Sequence, residues 1–415
     1  MVQLASNSTS SSSATANQGT ISAATAACIW VALLLSLPLH ARIALGSREL
    51  GVSVFDPILA CVWLWLVLTG RLHRIGWHAV GAIAVCVAAV LLHDAAILLS
   101  GLPVQPAGMI RETIKYAAFP VLVGMVASAF SLPPLRAPPT EIVAACLVGI
   151  AAVLLIDLSR SQGRINYRPE ESGIYANVVV AMLVLAMLAA KQDGRRWAWG
   201  LVAVSGAIAL GITLRLFAKS LAAGVLVIGL AFTLRHAAVR FGVRGRLARL
   251  ALVLAAAGVA LAAIVYAFDV LGLGLGYDGT TARSVSIREV LWLRAADLLR
   301  GSFPLGIGLG QFGAQPQPVT DAFGQAQLFV HNTALAMVTE LGALGVLGVG
   351  ALLLTVCLSL AALSPTGSIA AGIYLAISFL LNEGLGYRGA ILIIGLGLAS
   401  RAAPSSQAGA VRRHR

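Results

Sequence analysis

Apolar residues along this chain come in long unbroken runs separated by short polar or basic breaks, without the period-2 alternation of a half-buried strand. Runs of roughly 18 or more apolar residues recur along its whole length, each long enough to cross a bilayer as a helix. They predict spans at 21–39, 52–70, 79–99, 113–130, 141–158, 174–190, 197–213, 220–234, 250–268, 331–363, 368–382 and 390–401. No internal sequence repeat accompanies them. Continuous runs of this kind exclude a transmembrane β-barrel, whose strands alternate. The expected fold class is an all-α polytopic membrane protein of about twelve transmembrane helices.

Composition agrees. The 415 residues are 59% hydrophobic and 11% charged, with a mean hydropathy of +0.90, whereas a soluble domain carries about 25% charged residues. Residues 1–20 are polar, uncharged and rich in Ser and Thr, and read as a disordered lead-in without the basic start of a signal peptide. The expected order is this lead-in, spans 1–9 over 21–268, an outer loop over 269–330, spans 10–12 over 331–401, and a basic tail at 402–415. Cys28, Cys61, Cys86, Cys146 and Cys357 sit one each in apolar runs, which suggests buried fillers rather than disulfides or metal ligands.

Charge sets the orientation. "RLHRIGWH", "KQDGRRW", "RHAAVRFGVRGRLAR", the tail and Arg136 hold fifteen of the 29 basic residues and one acid, Asp193. In a twelve-span chain all of these fall on one side, which the positive-inside rule makes cytoplasmic, with both termini. The other fourteen basic residues lie on the outer side, where that rule does not explain them. They gather in "SRSQGRINYRPEES", in "TLRLFAKS" and in the 269–330 loop. Either they bind something anionic, or acids on the same face pair with them.

The 269–330 loop opens on a turn-rich "LGLGLGYDGTTARSVS" and continues into "SIREVLWLRAADLLR", where Ile287, Val290, Leu291, Arg294 and Leu298 keep helical spacing. This predicts an amphipathic helix on the outer membrane surface, capped by Ser284 or Ser286. Arg288 and Trp292 are four residues apart and share a face, so the indole could pin the guanidinium and leave its fork for a phosphate. The plainer alternative is an interfacial Trp beside a snorkelling Arg. "GSFPLGIGLGQFG" then supplies Gly306, Gly308 and Gly310. With no preceding strand, following helix or Walker lysine it is no nucleotide loop, and a tight turn is expected.

From His331 an apolar run extends to Leu363, about 50 Å as a helix, although about 20 residues suffice to cross the bilayer. Such a helix must tilt, break or project, and projection at its His331 end would lift that residue to the outer interface. In a continuous helix Gly342 would lie about 20° from His331, on a stripe where a neighbouring helix approaches closely. An imidazole held there suits general-base chemistry. A capped helix end with a histidine at the water interface is the alternative.

"HNTALAMVTELGALG" resembles the His-Asn, nine residues, Gly-x-x-Gly signature of the O-antigen ligase and polymerase superfamily. The Arg288-x-x-x-Trp292 helix and the "PLGIGLGQF" turn that precede it are similar in order too, so the resemblance covers roughly residues 205–385. It implies a GT-C-type, metal-independent glycosyltransferase without cofactor, in the bacterial inner membrane with its active site facing the periplasm. Such an enzyme moves an undecaprenyl-diphosphate-linked polysaccharide onto an acceptor, which in the ligase branch is a sugar hydroxyl of lipid A–core. By motif, His331 is then the base and Arg288 a diphosphate ligand. The family's second basic site, usually Ser-Arg-Gly, is here "TLRLFAKSLAAG", which leaves Arg215 and Lys219 as alternatives for it. Arg160, Arg164, Arg168, Arg388, Asn332 and Trp292 are candidate accessory substrate ligands, and Asn332 could instead cap or orient the turn.

Displacing a lipid diphosphate builds negative charge that fixed arginines can stabilise, and no DxD-type carboxylate pair suggests a metal site. Membrane lipids, the carrier-linked glycan and lipid A–core are the expected partners, with no nucleic acid. The chain is compact, with one modest loop and no appended soluble domain, which favours a ligase over an O-antigen polymerase or an O-linked oligosaccharyltransferase. A transporter or flippase would also have twelve spans, but its ionisable residues belong near the midplane rather than gathered at one face.

Overall fold

The computed structural model describes residues 21–45, 48–72, 77–102, 104–160, 169–216, 219–240, 280–315, 330–381, 385 and 387–402. Its helices are α1 (Ala23–Ser36), α2 (Phe55–Leu68), α3 (Trp77–Leu99), α4 (Pro106–Ala129), α5 (Thr140–Arg160), α6 (Pro169–Asp193), α7 (Arg196–Arg215), α8 (Lys219–Arg240), α9 (Thr280–Ser302), α10 (Thr333–Ala362), α11 (Pro365–Leu380) and α12 (Arg388–Ala402). Eleven of the twelve expected spans coincide with a helix. The remaining one, the ninth (250–268), lies outside the described residues. Segments 80–99, 174–193, 196–214 and 333–362 are long and apolar enough to cross a membrane, and several helices are shorter and apolar. The architecture is compatible with a helical membrane protein.

Two features differ from the sequence expectation. The first link is an antiparallel hairpin, β1 (His40–Leu45) with β2 (Arg48–Ser53), pairing His40 with Ser53 and Leu45 with Arg48. Its short run lies between two long apolar ones, which mask its periodicity. The loop helix α9 begins at Thr280, ahead of the expected serine caps. It is also no bare surface helix: Leu291 and Ala295 are fully buried and pack with Phe312, Val330 and Ala336, while Leu293 stays exposed.

The core is built around α6 and α12, where Val178–Ala190 and Ala390–Ile394 are almost wholly buried. A buried polar network links α6 to α11: Asn177 Nδ2 donates to Ser378 Oγ at 3.0 Å, and the Tyr374 hydroxyl donates to Asn177 Oδ1. Side-chain hydrogen bonds of this kind hold helices together where lipid supplies no hydrophobic drive. Chain ends that alternating spans would put on one side do meet. Asp56 at the start of α2 pairs with Arg388 at the start of α12, and Gln105 beside α4 pairs with Gln311. At the opposite end Arg235 of α8 donates to Thr366 Oγ1 of α11 at 2.6 Å.

Of the three ways to house an overlong helix, α10 uses a break. Gly342 has φ 58° and ψ −128°, and the helix resumes beyond it. The 304–310 turn fills the gap: Ala343 N donates to Pro304 O at 2.8 Å, Ile307 N to Thr339 O at 3.1 Å and Gly308 N to Glu340 O at 3.0 Å. A Cβ on Gly342 would sit 2.0 Å from Pro304 O, and one on Gly306 2.5 Å from Glu340 O. Both positions therefore need glycine, for close approach and for positive φ. Gly342→Ala should destabilise the protein by about 3 kcal/mol. Gly350→Ala, where a new Cβ meets nothing within 4 Å in ordinary helix, should be neutral or stabilising by up to about 1 kcal/mol. Thermal unfolding of the two variants in detergent checks the contrast.

Candidate functional site

The threshold of α10 is built residue by residue. Asn332 is the N-cap, with its side-chain oxygen accepting from Leu335 N at 3.0 Å. It therefore does the capping work that its residue type favours. His331 stands outside the helix, one position before the cap, so the stripe expected to run from it through Gly342 does not exist. Its φ is 54°, and it is the one non-glycine residue with positive φ among the described residues. Histidine is enriched in this left-handed region, yet the conformation persists only where the surroundings impose it. Part of that imposition is visible. The Trp292 indole N–H donates to Val330 O at 3.0 Å, tying α9 to the residue before His331.

Arg288 lies one turn before Trp292 and is partly buried. Burial pushes its guanidinium pKa down, opposed by the nearby Tyr387 phenol. An arginine remains charged under such a shift, and in partly desolvated surroundings its field on an anion is stronger than in water. Arg388 immediately follows Tyr387. Its fork is engaged by Asp56, with Nε donating to Oδ1 at 2.7 Å and Nη2 to Oδ2. A bidentate pair of this kind is geometrically specific, and it gives Arg388 a structural task, joining α12 to α2.

Arg215 closes α7 and Lys219 opens α8, so the backbone brings both to the same end of one helical hairpin. Their side chains, and that of Arg160 at the end of α5, are outside what is described. Arg164 and Arg168 lie outside the described residues altogether.

Beside the threshold lies a partly open cleft with a cavity volume of about 20 Å³. Val330 and Thr333, on either side of His331–Asn332, line it, but none of the sequence-predicted site residues whose side chains are described does. Its walls come from α4 (Arg111, Glu112, Lys115, Tyr116) and from α10 (Glu340), with Phe312 from the glycine-rich turn. Glu112 accepts from Arg111 Nε at 3.0 Å and from Lys115 Nζ at 2.9 Å. The signal for this wall was the "RETIK" cluster at the mouth of an apolar span, with Glu112 between two cations at helical spacing. Among the described residues no group of three or more His, Cys, Asp or Glu is placed to hold a metal ion.

No protein-family model matches the chain, and no curated protein is significantly similar to it.

The positive φ separates two effects at His331. His331→Ala removes the imidazole and also puts a poorly suited residue in the left-handed region, whereas His331→Asn removes the imidazole alone. His331→Ala should therefore be less stable than His331→Asn by about 1 kcal/mol, read as a lower unfolding temperature.

Proposed function

We propose that this protein is an O-antigen ligase, a GT-C-type glycosyltransferase of about twelve spans. In this reading it lies in the bacterial inner membrane with both termini cytoplasmic and its site facing the periplasm. It transfers polysaccharide from undecaprenyl diphosphate to a sugar hydroxyl of lipid A–core. The observation that carries the reading is one tertiary unit. The Arg288–Trp292 helix, the glycine-rich turn and the His331–Asn332 threshold, which the family resemblance lists in order, are joined by the Trp292–Val330 hydrogen bond and by the turn seated in the break of α10.

The chemistry is a single displacement. The acceptor hydroxyl attacks the anomeric carbon while neutral His331 accepts its proton. The new glycosidic bond forms as the carbon–oxygen bond to the diphosphate breaks, inverting the anomeric centre. The leaving lipid diphosphate takes the electron pair, and Arg288 stabilises the added charge, with Arg215 or Lys219 as the second cation. Arg160, Arg164 and Arg168 are further candidates on that side. Arg388 contributes through the frame it forms with Asp56.

Reconstitution with carrier-linked glycan and lipid A–core tests this. His331→Asn should keep its fold and lose at least about 100-fold in transfer rate. Arg288→Lys should lose much of its donor binding, because an ammonium cannot fork. A chelator should leave the rate unchanged. Full activity in His331→Asn removes the base assignment. A product of lengthened carrier-linked glycan, in place of capped lipid A–core, makes the protein a polymerase, and transfer to protein Ser or Thr makes it an oligosaccharyltransferase.

A further inference from the structure

We infer that the turn after α9 dips into the adjoining lipid leaflet as a shallow re-entrant wedge, with Phe303, Pro304 and Leu305 against phospholipid acyl chains. The inference takes α3 and α10 as membrane spans and is independent of the transfer chemistry. Its segment belongs to the 269–330 stretch, which the sequence pattern places outside the membrane. Three consecutive apolar residues stand exposed there, Phe303 at 60% and Leu305 at 44% with Pro304 between them. Exposed apolar runs of this length are unfavourable in water and call for a purpose. The exposed Asp297–Arg300 ion pair ends one helical turn before Phe303, so the polar end of α9 and the apolar tip are separate.

Two helices measure the depth of the turn. His93 Nε2 lies 2.8 Å from Leu305 O, and since a carbonyl only accepts, the ring nitrogen donates. Ile97, fully buried, faces Gly308, where a Cβ would come within 3.1 Å of it. The turn therefore meets α3 at His93, six residues or about 9 Å before Leu99, where the apolar segment ends. Leu98 and Leu99 lie further out and are 61% and 88% exposed, so lipid that covers them extends past the turn. The second helix gives a matching level. Beyond the break, residues 343–362 of α10 alone measure about 30 Å, the thickness of the hydrocarbon layer. The break, and the turn seated in it, then fall at the edge of that layer.

Lipid tolerates irregular backbone where the protein supplies its partners, and much of this turn is so supplied. Phe303 N donates to Leu299 O, Gly306 N to Ser302 O, Ile307 N to Thr339 O and Gly308 N to Glu340 O. Pro304 has no N–H to satisfy, and its carbonyl accepts from Ala343 N, while that of Leu305 accepts from His93. The backbone thus faces the protein and the apolar side chains face away from it. Acyl chains are the occupant that this level and this chemistry select, because they already cover the neighbouring leucines of α3.

The test uses the full chain in phosphatidylcholine nanodiscs, with its five cysteines replaced by alanine and one nitroxide label at a time. Molecular oxygen concentrates among acyl chains, whereas a neutral nickel chelate stays in water. Labels at Phe303→Cys and Leu305→Cys should collide with oxygen more often than with nickel, as should one at Leu347→Cys on the exposed face of α10. A label at Arg195→Cys, in the polar link between α6 and α7, should show the reverse. Both turn positions are exposed, so a label leaves the seat of the turn intact, and either carries the test if the other variant does not fold. Collisions dominated by nickel overturn the inference by placing the turn in water. Exclusion of both reagents overturns it by showing that protein covers the turn. Added undecaprenyl phosphate should leave the oxygen-to-nickel ratio unchanged, and a loss of oxygen contact on its addition would give the surface to the carrier chain in place of bulk phospholipid. These collisions do not depend on glycosyl transfer, so the wedge and the ligase reading stand or fall separately.

Discussion

A helix broken inside an apolar layer must find new partners for the backbone groups it frees, because lipid offers none. In this protein the 304–310 turn supplies them. Pro304 O, Ile307 N and Gly308 N meet Ala343 N, Thr339 O and Glu340 O across the break at Gly342. Much else follows from this junction. The turn is held from a second side by His93 of α3, whose Nε2 lies 2.8 Å from Leu305 O, and from a third by the Gln105–Gln311 pair beside α4. Gly108 and Gly310 touch backbone to backbone, with no room for a Cβ on either. One glycine-rich stretch therefore fixes the relative positions of α3, α4 and α10, and with them both the threshold of α10 and the walls of the cleft.

The same end of the molecule organises its charge locally. Arg388 pairs with Asp56, Arg111 and Lys115 share Glu112, and Thr113 donates to Asp94 beside His93. Of the two explanations for the outer basic residues, pairing by acids accounts for these three cations. Arg288 is different in kind: the influence on it is burial, with the Tyr387 phenol as its neighbour. Arg288 is partly withdrawn from water one helical turn before the tryptophan that ties α9 to the residue preceding His331, while an arginine forked onto a carboxylate is suited to joining helices.

Several features were legible in the residues because their causes are local. Long apolar runs become helices, since a chain in lipid must satisfy its own backbone, and eleven expected spans fall on helices. Asn332 carries a cap residue's side chain and caps. Arg288 and Trp292, four residues apart, do share one helix. That the run from His331 to Leu363 exceeds a bilayer's thickness was also readable.

What length alone could not decide was how that excess would be absorbed. A tilt, a projection and a break all satisfy the same arithmetic, and the break won because Gly306 and Gly342 allow two backbones to meet where any Cβ would collide. At the other end of the same segment the Asn332 cap leaves His331 outside the helix, with a left-handed backbone. The fold also brings "RETIK", some 220 residues away in sequence, to the wall of the cleft beside it. The sequence by itself determined a helical, apolar chain whose charges lie mostly in the breaks between apolar runs. Only the tertiary structure decided which charges pair, which line the cleft and which residue stands at the threshold, because those outcomes depend on contacts between segments distant in the chain.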